Sequence, residues 1–181
     1  MGILDGRVAI VTGSGRGLGR EFALALAREG AAVVVNDIGV ALSGAATEED
    51  PAASVCAEIE ALGGSAVPAR DSVSEFDAAA RIVQTAVDAF GTVDIVVNNA
   101  GIVRDRTLVK MDESDFDAVI NTHLKGTFNV VRHAAPIMKE QGYGRIVNIT
   151  SSAGLRGNFG QTNYGAAKAG LMGLTLSLIH I

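Results

Sequence analysis

Ser151, Tyr164 and Lys168 are three side chains that together can move a proton to or from an alcohol. Tyr164 and Lys168 stand four residues apart, so a helix makes them neighbours on one face. A free phenol, with a pKa of about 10, is a poor base at neutral pH. A lysine ammonium beside it stabilises the phenolate, and each pKa unit corresponds to about 1.4 kcal/mol. Ser151 lies thirteen residues before Tyr164, at the end of an apolar run, where its hydroxyl can hydrogen-bond a substrate oxygen. A positioned acid or base of this kind contributes a factor of about 10²–10⁴. An isolated Tyr-x-x-x-Lys is more often an ordinary solvated helix face. The serine, the strand before it and a loop near the N-terminus set this one apart.

That loop is Thr12-Gly13-Ser14-Gly15-Arg16-Gly17-Leu18-Gly19, which follows an apolar run directly and opens a helical pattern. A turn without side chains lets backbone N–H groups at a helix N-terminus approach a pyrophosphate. Gly13, Ser14, Arg16, Gly17, Leu18 and Gly19 are therefore candidate cofactor contacts. Asp37 ends the second apolar run eighteen residues past Gly19, close to the separation expected of the acid that binds a ribose. Its carboxylate accepts ribose hydroxyls and repels a 2′-phosphate, which predicts NAD. Arg16 can attract that phosphate instead, which keeps NADP as the alternative.

The elements that must position these residues alternate. Arg7 to Thr12, Ala31 to Asp37, Ser65 to Arg70, Val93 to Asn98 and Arg145 to Thr150 read as strands, and as parallel strands covered on both faces. Leu18, Phe22, Ala25 and Leu26 read as one buried helical stripe; Phe76, Ala80, Val83 and Val87 read as another. Ser74 with Asp77, and Asp112 with Asp115, mark helix starts, and Gly91 and Gly142 mark helix stops. Ile38 to Ser54 reads as a mobile Gly/Ala/acidic loop. The alternation predicts a doubly wound, Rossmann-type α/β domain with a parallel sheet.

The 181 residues are 48% hydrophobic and 19% charged, which favours one globular domain over disorder. A net charge of -5 without a basic run argues against nucleic acid or an anionic membrane surface as partner. Cys56 is the only cysteine, which excludes an internal disulfide and a multi-cysteine metal site; it reads as a small apolar helix residue. No membrane-span run or signal peptide is visible, and Gly6 stands where a myristoylation signal needs Ser or Thr, so the expected location is cytoplasmic.

In these residues the chain resembles the short-chain dehydrogenase/reductase family. The match is carried by the glycine loop, by Asn98-Asn99-Ala100-Gly101 after the fourth strand, by Ser151, and by Tyr164 with Lys168. The resemblance implies that Tyr164 is the general acid/base and that Ser151 orients the carbonyl. It implies that Lys168 binds the nicotinamide ribose and favours the phenolate. By the same likeness Asp71 and Ser72 contact the adenine, and Asn98, Ala100 and Gly101 lie beside the cofactor. A finer resemblance comes from Asn36-Asp37-Ile38-Gly39, the run from Asn98 to Arg106, and Gly157-Asn158-Phe159-Gly160-Gln161. It points to the (3R)-hydroxyacyl-CoA dehydrogenase branch found in peroxisomal multifunctional enzyme type 2 and bacterial relatives. That implies NAD-linked oxidation of a 3-hydroxyacyl thioester. The alternatives are an NADP-dependent 3-oxoacyl reductase and a non-catalytic nucleotide-binding module. Small residues Gly165, Ala169, Gly170 and Gly173 permit close helix contact, consistent with the family's assembly into dimers or tetramers.

The family often has a catalytic asparagine where this chain has His123, before Leu124. Periodicity from Phe116 through Ile120 to Thr127 puts His123 on the inward face. A lone inward histidine is more often a satisfied core residue; the sharper reading is support for a water relay to Lys168. His133, on the same helix, shows no comparable partner. Beyond Lys168 the resemblance implies two further strands, a lid and the floor of the nicotinamide pocket, whereas thirteen residues follow. Leu176 to Ile181 lacks a charged outer face or cap and can be encoded by CTG TCT CTT ATA CAC ATC, a transposase-end adapter. The expectation is an incomplete catalytic domain over 1–175 with a non-native tail over 176–181, a fifth strand left as an exposed sheet edge, and an adenosine half that still binds.

Overall fold

Five short β-branched runs form one parallel sheet. They are β1 (Val8–Thr12), β2 (Ala32–Asn36), β3 (Ala66–Ala69), β4 (Ile95–Asn98) and β5 (Arg145–Asn148). The computed structural model describes residues 2–39 and 50–180, so part of the segment read as a loop from Ile38 to Ser54 lies outside the described residues. The rest of it corrects the expectation. Helix α2 (Pro51–Ala61) already starts at Pro51, with Asp50 accepting the Ala53 N–H at 3.0 Å. A proline at the first helical position and an aspartate just before it are a strong helix start.

The sheet order is β3-β2-β1-β4-β5. The chain therefore builds outward from β1 to β3, then crosses back to place β4 on the other side of β1. That reversal opens a crevice at the carboxyl ends of β1 and β4, where open α/β sheets bind ligands. Helices α1 (Gly17–Arg28) and α2 cover one face, and α3 (Phe76–Phe90) and α5 (Gly126–Glu140) cover the other. Between β4 and α5 lie a short 3₁₀ turn at Leu108–Lys110, helix α4 (Glu113–Ile120) and a π-helical turn at Asn121–Lys125. After β5 come α6 (Ala153–Arg156) and the long α7 (Thr162–Leu178), which runs unbroken through Leu176.

Burial corrects both helical stripes. In α1 the buried residues are Gly19, Ala23, Leu24 and Ala27, while Leu18 is exposed. In α3 they are Ala78, Ala79, Ile82, Val83 and Ala86, and Phe76 is largely exposed. Alanine and glycine let a helix axis lie close to the sheet, so small residues share the contact face with Leu24, Ile82 and Val83. Two-sided burial holds for β1 and β4 and nearly throughout β2, but not for β3 or β5. Strand β5 lies at the sheet edge with Val147 46% exposed. Beside it an apolar groove of about 970 Å³ runs between α5 and α7, lined by Phe128, Ile146, Leu174 and Leu178 among others.

Helix ends follow the sequence in part. Gly91 ends α3 in the left-handed region at φ 83°, and Gly142 follows α5 at φ 69°. Asp112 does precede α4, but without a side-chain capping bond. Ser74 is not the cap of α3: Glu75 holds that position, and the Ser74 hydroxyl bonds Ser72 at 2.8 Å. His133 does have a partner, because its Nε2 lies 3.1 Å from the Phe76 carbonyl and its ring packs on Phe76 at 4.4 Å.

At the opposite end of the sheet, buried Asp94 accepts the Val8 N–H at 2.9 Å and an Arg7 N–H at 3.0 Å. The Arg7 guanidinium stacks over the Tyr143 ring at 3.7 Å. Asp94→Ala strands a buried backbone donor and is expected to cost about 2 kcal/mol, read as a lower urea midpoint with an unchanged slope. An unchanged midpoint would show that the carboxylate holds nothing there.

Candidate active site

The crevice is knotted by two side chains. Thr12, buried at the end of β1, accepts the Asn99 and Ala100 N–H groups on Oγ1 at 3.0 and 3.1 Å. Asn99 answers by donating from Nδ2 to the Thr12 and Gly13 carbonyls at 3.0 and 2.9 Å. The loops after β1 and β4 are thus one unit. Gly13 has φ 63°, and a Cβ there would lie 2.7 Å from the Ala100 Cα, so only glycine fits. Ser14 is buried, with its hydroxyl donating to the Val11 carbonyl at 2.6 Å and its N–H to the Asn36 carbonyl at 2.9 Å. It shapes the loop from below. Arg16, Gly17 and Leu18 are exposed around the start of α1. There the first-turn N–H groups lack intrahelical acceptors and suit an anion.

Asp37 fixes the far lip. Its Oδ2 accepts the Gly15 N–H at 2.9 Å and its Oδ1 accepts the Gly39 N–H at 2.9 Å. A carboxylate held this way keeps lone pairs for ribose hydroxyls. Asn36, buried beneath it, donates to the Ala69 and Asp71 carbonyls at 3.1 and 2.9 Å, which ties the end of β2 to the residues after β3. The Asp71 carboxylate pairs with Arg81 at 2.6 Å, and Ser72 bonds Ser74. A side-chain-free cradle, a helix N-terminus and an acid at its lip fit a dinucleotide.

On the β5 side the proton-transfer residues converge. Lys168 is only 4% exposed, and its Nζ donates to the Ile149 carbonyl just past β5. The same ammonium lies 5.6 Å from the centre of the Tyr164 ring. Burial pushes the Lys168 pKa down to about 8. Thr150 donates to the Lys168 carbonyl at 2.9 Å, anchoring α7 to the residue before Ser151. The Ser151 Oγ accepts the Ala153 N–H at 3.2 Å, which leaves its proton free to point at a ligand.

His123 is buried as expected, on the π-helical turn, with its ring edge-on to Tyr164 at 5.2 Å and 89°. Burial first, and the Lys168 charge second, push its pKa down to about 4 against the bond to Ile102, so it is neutral at pH 7. Its Nε2 lies 2.8 Å from the Ile102 carbonyl and 3.2 Å from the Ile102 nitrogen, so Ile102 meets it with an acceptor and a donor, and the tautomer decides which bond forms. Nδ1 is buried, and among the described residues nothing bonds to it, which leaves one ring nitrogen open to a hydrogen bond. A Cβ on Gly101 would fall 2.2 Å from the His123 Cε1, so the glycine makes room for the imidazole. His123 therefore touches Gly101 on one side and the Tyr164 ring on another. Asn98 is buried and donates to Asn148 at 2.9 Å, whose own amide donates to Thr175 on α7 at 2.9 Å.

Sequence spacing missed three contributors. Thr12 and Asn99 were legible only as members of motifs, not as the knot they make. Ile149 acts through its carbonyl, which no side-chain pattern can signal. The π-helical turn was hidden because one extra residue per turn leaves the apolar spacing almost intact. The small residues of α7 also serve within the chain: a Cβ on Gly170 would meet Leu124 at 2.8 Å, and one on Gly165 would meet the Ala153 carbonyl at 3.2 Å. The Cys56 thiol is buried in α2 and pushed up to about 11, mainly by burial. Among the described residues no helix is long and apolar enough to cross a membrane.

A dinucleotide cradle at the same edge of the sheet as a half-buried tyrosine beside a buried lysine suits hydride transfer. Residues 7–180 match the short chain dehydrogenase family, and the chain belongs to it. It is 55% identical over 177 residues to a short-chain type dehydrogenase/reductase of Mycobacterium tuberculosis, covering 98% of this chain and 62% of that protein. It is 54% identical over 170 residues to peroxisomal multifunctional enzyme type 2 of Drosophila melanogaster, covering 94% of this chain and 28% of that protein. The crystal structure of a short chain dehydrogenase from Mycobacterium avium superposes with a TM-score of 0.89 at 54% identity, over 97% of this chain and 63% of that one. The chain thus spans less than two thirds of the length of each.

The two shifted groups act with the same sign in two separate pH windows. An unfolded His123 takes up a proton near pH 6.5 that the native residue refuses down to about 4, so it destabilises the fold as pH falls through that range. Wild type should lose about 2 kcal/mol more than His123→Asn between pH 7 and pH 4.5 in denaturant titrations. Lys168 binds its proton less tightly folded than unfolded, so its contribution to stability rises with pH from about 8 to about 10.5. Lys168→Met should lack that rise. Parallel curves for wild type and variant would refute the burial of either charge.

Proposed function

We propose that this site oxidises the 3-hydroxyl of an acyl thioester in the cytoplasm, passing hydride to NAD. The observation that carries the reading is the phenol of Tyr164 set between buried Lys168 and neutral His123, across the crevice from the glycine loop. The bound nicotinamide supplies the hydride acceptor. Gly13, the first turn of α1 and Asp37 hold the dinucleotide, with Asp71, Ser72, Asn98, Ala100 and Gly101 along its length. Asp37 favours NAD because a second charge on the ribose would face a carboxylate that two backbone donors hold in place.

Ser151 donates its free proton to the substrate oxygen and orients it. Tyr164 takes the hydroxyl proton as the carbon gives up hydride, and the Lys168 ammonium lowers the cost of the phenolate by Coulomb attraction. The unpaired Nδ1 of His123 has room in its bonding for a water, and such a water would link it to Lys168 and carry away the proton that Tyr164 takes from the substrate. The thioester is favoured by the likeness to multifunctional enzyme type 2. A homo-oligomer is the expected assembly.

In the full-length gene product, a 3-hydroxyacyl-CoA series should drive NADH formation, with NAD preferred over NADP. Tyr164→Phe should lower kcat by at least about 10²-fold with NAD affinity retained. His123→Ala should lower the rate and shift its pH profile. Full turnover in Tyr164→Phe would refute the proton-transfer role, and an NADP preference would overturn the reading of Asp37.

A further inference from the structure

Asn163 stands immediately before Tyr164 and is fully buried, at 0% exposure. Its amide reaches three ways. Nδ2 donates to the Arg104 carbonyl at 3.0 Å and to the Asp115 carbonyl at 3.1 Å, while Oδ1 accepts the Tyr164 N–H at 2.8 Å. Arg104 belongs to the segment that follows Gly101 after β4, and Asp115 lies in the first turn of α4, which leads to His123. The Tyr164 N–H is one of the donors that the first turn of a helix leaves without an intrahelical acceptor. One buried side chain thus joins the loop beside the cofactor, the helix before His123 and the residue proposed to move the proton. Around it the same two segments are laced at the surface. The Arg106 N–H donates to the Gly160 carbonyl at 2.9 Å, and Gln161 Nε2 donates to Asp105 at 2.9 Å.

We propose that Asn163 is a positioning residue for proton transfer, clamping the start of α7 to Arg104 and Asp115 so that the Tyr164 phenol stays aligned with Gly101 and His123. The role rests on the reading of Tyr164 as the group that carries the proton. Asn163 does not touch substrate. It has to be an amide. A carboxylate would set one oxygen against two carbonyls, and alanine would take the partner from the Arg104 carbonyl and the Tyr164 N–H in a buried site. The Ser151–Lys168 anchor through Thr150 holds the other side of α7, so loss of the clamp frees only the tyrosine end. A displacement of about 1 Å at a reacting group costs on the order of 10²-fold in rate.

The test compares Asn163→Asp and Asn163→Ala with Gln161→Ala in the full-length gene product. Both Asn163 variants should lose about 10–100-fold in kcat for NAD-linked oxidation, counted per folded molecule. NAD affinity should move by less than about 3-fold, because Asn163 bonds neither Asp37 nor the glycine loop. Gln161→Ala removes two exposed hydrogen bonds, to Asp105 and from Asn158, and should stay within about 2-fold. A purely structural asparagine would lower the folded fraction without touching kcat per folded molecule, and that result overturns the proposal. Hydrogen exchange in the wild type reads the clamp with no variant at all. The Tyr164 amide should exchange at least about ten-fold more slowly than that of exposed Thr162 in the same turn, and equal rates overturn the clamp. A protected Tyr164 amide in a wild type without NAD-linked oxidation overturns the functional reading instead, and the positioning role with it.

Discussion

Everything at the site hangs from the knot between the ends of β1 and β4. Two parallel strands that lead to opposite halves of a doubly wound sheet have diverging loops, and the gap between them is where a ligand enters. Left alone, those loops carry unpaired backbone groups at the mouth of a buried sheet. Thr12 and Asn99 satisfy them crosswise with four hydrogen bonds of 2.9–3.1 Å. The result is a rigid floor. Gly13 can then press against Ala100, the glycine loop faces the crevice, and Gly101 presents an open Cα surface to His123.

On that floor the electrostatics follow from burial. A lysine with 4% exposure would ordinarily sit paired with a carboxylate. Lys168 instead rests on a backbone carbonyl beneath a phenol, so its charge is strongly felt by its neighbours and weakly compensated. That destabilises the fold, and in the proposed proton transfer it leaves a cation free to act on the tyrosine beside it. His123 belongs to the same logic. Close to a buried cation it stays neutral, and with Nε2 held by Ile102 its Nδ1 is left as one unpaired ring nitrogen. The π-helical turn that carries it is a costly local geometry of the kind found at functional sites.

Much of this was legible in the sequence, and the parts that were not have physical reasons. The five strands and their parallel order could be read because β-branched runs and helical periods alternate cleanly. Ser151, Tyr164, Lys168 and the glycine loop announced themselves by residue type and spacing. The buried faces of α1 and α3 did not, because alanines such as Ala23 and Ala79 pack against the sheet while Leu18 and Phe76 face outward. Ser74 looked like a helix cap by type, yet its hydroxyl is taken by Ser72. Contacts made by carbonyls, at Ile149 and Ile102, leave no mark in the order of side chains. Asn163 hid for the opposite reason: beside a tyrosine and a lysine, a buried amide carries no chemistry of its own to notice.

The most direct measurement follows the hydride. The full-length gene product would be given NAD and a 3-hydroxyacyl thioester carrying deuterium on carbon 3, and the reduced cofactor read by mass spectrometry. A hydride-transfer centre at the β1–β4 crevice predicts that the deuterium appears in the nicotinamide, and that Tyr164→Phe and Lys168→Met suppress the transfer. Reduced cofactor without deuterium, or transfer unaffected by both changes, contradicts the roles assigned to these residues.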